Sequence, residues 1–83
     1  MPYINKADRP KMDEVINFMI EKKAEPNGKL NYVLYKLCKI AIRPGYNNYK
    51  NYIGELQECI AEIRRTLLGP YEDQKKASNG GIE

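Results

Sequence analysis

The sequence predicts an all-α fold: a small three-helix bundle, or an α-hairpin with a long third helix, with a C-terminal tail that packs back, the whole expected to be oligomeric. Three observations carry this expectation. Apolar residues recur at helical spacing in three separate runs. Each run is bounded by Pro, Gly or Asn. No segment alternates with period two, as a half-buried strand would. The predicted organisation is a three-helix domain over residues 1–69, with helices over 9–24, 30–42 and 46–68, followed by a tail over 70–83.

The first helix starts after Asp8, a good N-cap, and tolerates Pro10 in its first turn. Met12, Val15, Ile16, Met19 and Ile20 make one apolar stripe. Glu25-Pro26-Asn27-Gly28 ends it, because Pro disfavours helix in the residue before it and Asn-Gly supplies a turn. The second helix gathers Leu30, Val33, Leu34, Leu37, Ile40 and Ala41 on one side and Lys29, Tyr32, Tyr35, Lys36, Lys39 and Arg43 on the other. Arg43-Pro44-Gly45 is its stop. The third helix carries Tyr49, Tyr52, Ile53, Leu56, Cys59, Ile60, Ile63 and Leu67 as its stripe. Gly69 stands where a left-handed residue after a helix is wanted, and Pro70 opposes continuation. The third helix, ~33 Å long at 1.5 Å per residue, outruns its partners and leaves apolar turns for the tail or another subunit to cover.

Length and charge set the outer limits. The chain has 83 residues, and a domain that small buries only roughly 60% of its unfolded surface. Oligomerisation or disulfides are the usual remedies. Cys38 and Cys59 sit inside helical patterns with no metal-ligand spacing, and there is no histidine, so a structural zinc site is not expected. No metal or cofactor is expected. The segment MPYINKADRP has no apolar core of a signal peptide, and no later run approaches a membrane span, so a cytoplasmic location is expected. Net charge is +3 with a pI near 8.9, too mild and too dispersed to imply nucleic acid by itself.

Catalytic chemistry is hard to place. Without histidine there is no His-based acid–base or nucleophilic group. Ser78 is the only serine and has no base near it in sequence, and no phosphate-binding glycine loop is present. Glu55, Glu58 and Glu62 share a side of the third helix and read as a solvated face, with Glu62 in reach of Arg65. No enzyme is expected.

Four surfaces can carry function. Seven Tyr stand against one Phe and no Trp, a supply that suits a core margin, an interface or base stacking. Tyr32, Lys36, Lys39 and Arg43 recur at i, i+4, i+7 and i+11, interleaving an aromatic with cations as a phosphate-rich ligand requires. Gly54 and Ala61 lie on one flank of the third helix, where a mid-helix glycine costs ~1 kcal/mol unless another backbone comes close. They are the expected oligomer interface. The fourth surface is the tail: Tyr71 is expected to cap the core while Glu72 or Asp73 meets Arg64 or Arg65.

The segments MPYI, GKLNYVLYKL, YNNYKNYIGELQECIAEIRR and PYEDQKK, with the Asn79-Gly80 that follows, resemble a family of small uncharacterised helical proteins of bacteriophages and prokaryotes. The resemblance covers essentially the whole chain, and its most specific part is the tail motif Pro70, Tyr71, Glu72, Asp73 and Lys75. Gly81 departs from the Asp usual there. The resemblance implies a docked tail that completes the fold or a ligand pocket with Arg64, Arg65, Asn31 and Tyr46, inside a bacterial host. By analogy with small phage proteins that sequester nucleotide immune signals, the leading expectation is a homo-oligomer binding a small anionic, nucleotide-like ligand. Its candidate residues are Tyr32, Lys36, Lys39, Arg43, Tyr46, Arg64, Arg65 and Tyr71. The alternatives are a module that binds and inhibits a host protein, and a nucleic-acid binder using the second helix.

Overall fold

The computed structural model describes residues 3–80. A short 3₁₀ turn at Lys6–Asp8 leads into α1 (Arg9–Glu21); α2 (Lys29–Ala41) and α3 (Tyr46–Ile63) follow. A π-helical turn over Arg64–Leu68 then joins α3 to α4 (Gly69–Asn79). The fold is all-α, with no strand among the described residues. The described chain divides into two units, Tyr3–Tyr52 and the run from Ile53 onward, the boundary falling inside α3. Tyr3 and Ile4 of the MPYI start are described; Met1, Pro2 and Gly81 lie outside the described residues.

The first unit is built from α1, α2 and the start of α3. Asp8 occupies the N-cap position of α1 but makes no side-chain capping bond, because the 3₁₀ turn already holds it near helical geometry. α1 ends three residues before the predicted Ala24. Lys23 takes a left-handed φ of 57°. The Ala24 amide then donates to Met19 O at 2.9 Å and the Lys23 amide to Ile20 O at 3.0 Å, the bond pair of a Schellman motif. Gly28 enters α2 at φ 103°, where it is the N-cap residue.

α2 ends at Ala41 because Ile42 goes extended, at φ −94° and ψ 126°. The Asn48 side chain then donates to the Arg43 carbonyl at 3.0 Å across the Pro44-Gly45 turn. The most sheltered positions of this unit are half-buried: Met19 and Ala24, then Leu30, Val33, Leu34 and Cys38 of α2, with Ile42 and Tyr52. The inward side of α2 is therefore turned toward Cys38, while the predicted core residues Leu37 and Ile40 are 50% and 73% exposed. Tyr52 explains the turn. Its hydroxyl donates to Leu34 O at 2.5 Å and ties α3 to the Leu34–Cys38 side of α2.

The second unit overturns the expected stop. Gly69 is right-handed at φ −57° and ψ −55°, and its amide reaches back five residues to Arg64 O. Helix therefore runs through Gly69-Pro70, and residues 70–79 belong to α4. Proline in a regular helix clashes with the carbonyl four residues earlier and leaves it without a donor. The wider π turn just before Pro70 loosens that crowding, and Pro70 then sits in the first turn of α4. A Cβ on residue 69 would lie 3.0 Å from Arg64 O, so the turn needs glycine for close approach, not for a left-handed φ. Across both units no described residue is fully buried.

Candidate functional site

The outward face of α2 gives the best-defined constellation. Tyr32 and Lys36 are one helical turn apart, which brings their side chains together. The Lys36 ammonium donates to Tyr32 Oη at 2.9 Å and stands 5.3 Å from the ring centroid. That hydrogen bond, with the attraction of the phenol oxygen, holds the Lys36 pKa above its ordinary 10.5. The group stays cationic throughout the neutral range. Lys39 is exposed one turn further along the same side.

Arg43 is placed differently from its i+11 spacing, since the chain has left the helix at Ile42. Its carbonyl is fixed by Asn48 and its side chain is exposed. Tyr46 opens α3 at 78% exposure, with Lys50 one turn on and 5.7 Å from its ring centroid. Five of the eight expected ligand residues, Tyr32, Lys36, Lys39, Arg43 and Tyr46, thus belong to the first unit, as does Asn31. Arg64, Arg65 and Tyr71 belong to the second. There Arg65 pairs with Glu62, one turn back on its own helix. The expected partners Glu72 and Asp73 lie beyond the π turn, in the first turns of α4.

An ammonium over a ring recurs along the chain, beyond the Tyr32–Lys36 pair that the sequence singled out. Phe18–Lys22 at 5.5 Å and Tyr71–Lys75 at 5.7 Å join Tyr32–Lys36 and Tyr46–Lys50. Every one of these pairs is an aromatic followed four residues later by lysine, a spacing that puts the two side chains one helical turn apart. Each offers a π-face and a cation within one side-chain reach.

Gly54 is half-buried, and a Cβ there would meet nothing within 4 Å. Among the described residues no group of three or more His, Cys, Asp or Glu could hold a metal ion. No helix among them is long and apolar enough to cross a membrane.

Comparison with known proteins places the chain by family. A family described as a domain of unknown function, DUF6899, matches residues 1–82. The chain belongs to the DUF6899 family. No curated protein matches it, and no solved structure does. In this DUF6899 chain the α2 face and the aromatic–lysine pairs are therefore read on their chemistry alone.

Proposed function

We propose that this DUF6899 chain is a non-enzymatic binding protein that holds a small anionic, nucleotide-like ligand on the outward face of α2. The observation that carries the reading is the Tyr32–Lys36 pair. A base stacks on an exposed ring, a phosphate takes a charge-assisted bond from an ammonium, and here both groups are pre-positioned within one helical turn. Lys39 and Arg43 add exposed cations to the same unit, and Tyr46 with its lysine neighbour repeats the arrangement. The tail motif and its resemblance to phage proteins support sequestration of a nucleotide immune signal in a bacterial cytoplasm as the biological role.

Thermal-shift screening of the full chain against cyclic di- and oligonucleotides tests the proposal. The expected result is stabilisation by at least one of them, with affinity reduced tenfold or more by Lys36→Glu, since a charged hydrogen bond is worth about 1.5–3 kcal/mol. No stabilisation across the panel would refute it.

A second reading is favoured by α4. Its first turn presents Tyr71, 56% exposed, beside Glu72 and Asp73, a handle for a basic host protein that the chain would inhibit. Capture of one defined host protein by the full chain, lost in a chain ending at residue 69, would favour this reading. Nucleic-acid binding through α2 is the third, and it requires steeply salt-dependent affinity lost on Arg43→Glu.

A further inference from the structure

The second unit contains one continuous run of helix from Ile53 to Asn79, and a coiled-coil spacing can be read within its apolar stripe, which also takes in Cys59 and Leu68. Ile53, Leu56, Ile60, Ile63 and Leu67 are spaced 3, 4, 3 and 4, the 3.5-residue repeat of a coiled-coil seam. The repeat would next fall on Pro70. The π turn over Arg64–Leu68 takes up one extra residue, which moves the seam position on to Tyr71. The irregularity that carries the helix through Gly69-Pro70 thus also keeps an aromatic in line with the seam.

Of the seam residues Leu56 is half-buried and the others are exposed. Ile53 and Ile60 are both 52% exposed, Ile63 47%, Leu67 64% and Tyr71 56%. An isolated helix is marginal in water, because nearly all helical stability in proteins comes from packing an apolar face. Side chains exposed to this degree amount to roughly 400–600 Å², the size of the largest apolar patches on monomers and more than half of the ~800 Å² each partner gives a standard interface. Glu55, Glu58 and Glu62 lie on another side of the helix, whereas Arg64, four residues after Ile60, borders the seam.

We infer that the occupant of the seam is the same helix of a second copy of this chain. A seam from Ile53 to Tyr71 runs ~27 Å at 1.5 Å per residue, and either 13-residue helix of the first unit spans only ~20 Å. A second copy offers a seam of identical length, spacing and apolar character, which is what knobs-into-holes packing needs. The surface is independent of the α2 ligand face, so loss of self-association and loss of ligand binding are read separately.

Sedimentation equilibrium of the full chain tests the inference. The wild-type chain is expected to sediment as a dimer or larger assembly, with the dissociation constant raised at least 100-fold by Ile60→Asp combined with Ile63→Asp and unchanged by Glu58→Lys. A wild-type monomer, or a double variant that assembles as tightly as wild type, overturns it. Should the double variant lose its helical circular dichroism, a second measurement on native-sequence seams decides. Cys59 is exposed and adjacent to Ile60, so a spin label is placed there in a Cys38→Ser chain and mixed with a ¹⁵N-labelled chain lacking both cysteines. Broadening of resonances over 53–71 in the labelled chain supports the inference, and unbroadened resonances there overturn it.

Discussion

Removing one oxygen atom from Tyr52 tests how the first unit is held together. In Tyr52→Phe the ring stays and the hydrogen bond from its hydroxyl to Leu34 O is lost. A neutral hydrogen bond contributes about 0.5–1.5 kcal/mol net, and Leu34 O, a helical carbonyl, keeps its second lone pair for the backbone. The expected loss at pH 7.5 is therefore about 1 kcal/mol, or a fall in melting temperature of roughly 4–8 °C for a domain of this size. The difference between the two chains must also depend on pH. Burial, with a further contribution from Cys38 nearby, raises the Tyr52 pKa above its ordinary 10.0. The folded state thus holds this proton more tightly than the unfolded state. The stability linked to it is complete below pH 10 and is lost as pH rises through the raised folded value. Urea melts of both chains at intervals from pH 7.5 to 11 measure the difference directly. It should stay constant to about pH 10 and then shrink, because an ionised phenol has no proton to donate. A Phe variant as stable as wild type at pH 7.5, or a difference unchanged through pH 11, would refute the reasoning.

Four further substitutions test the backbone readings. Lys23→Gly relieves a left-handed non-glycine residue and should stabilise the chain by about 1 kcal/mol in thermal or urea melts. Gly28→Ala puts a Cβ at φ 103° and should destabilise it by about 1–2 kcal/mol by the same measurement. Gly54→Ala enters open space in mid-helix and should raise stability by about 1 kcal/mol; loss of assembly in that variant would place the interface on the Gly54–Ala61 flank instead of the seam. Gly69→Ala should show none of that gain, because its Cβ would press on Arg64 O at 3.0 Å.

Much of this was legible in the chain, and what was missed has local causes. Helical periodicity located α1, α2 and α3, and Pro26-Asn27-Gly28 and Pro44-Gly45 located the turns between them. The end of α1 was misplaced because a lysine fills the left-handed position that glycine usually marks. The inward side of α2 was read from apolarity alone, which found Leu30, Val33 and Leu34 but added Leu37 and Ile40; the Tyr52 hydroxyl on Leu34 O favours the side that carries Cys38 instead. Gly69-Pro70 read as a stop because both residues oppose a regular helix, but a π turn changes which carbonyl each amide meets and removes the conflict. That one irregularity turns a supposed tail into α4. At the candidate site Tyr32, Lys36 and Lys39 were found by spacing, whereas the place of Arg43 depended on a turn held by Asn48. Of the aromatic–lysine pairs, Tyr32–Lys36 was read from its spacing, whereas Phe18–Lys22, Tyr46–Lys50 and Tyr71–Lys75 share that spacing and were passed over.

Ligand binding by this chain rests on the α2 face. Titration of the ¹⁵N-labelled full chain with cyclic dinucleotides, followed by the backbone and lysine side-chain resonances, tests it residue by residue. The expected result is saturable shifts centred on Tyr32, Lys36, Lys39 and Arg43 that vanish in Lys36→Glu. Saturable shifts that spare α2, or no shifts at all, would contradict it.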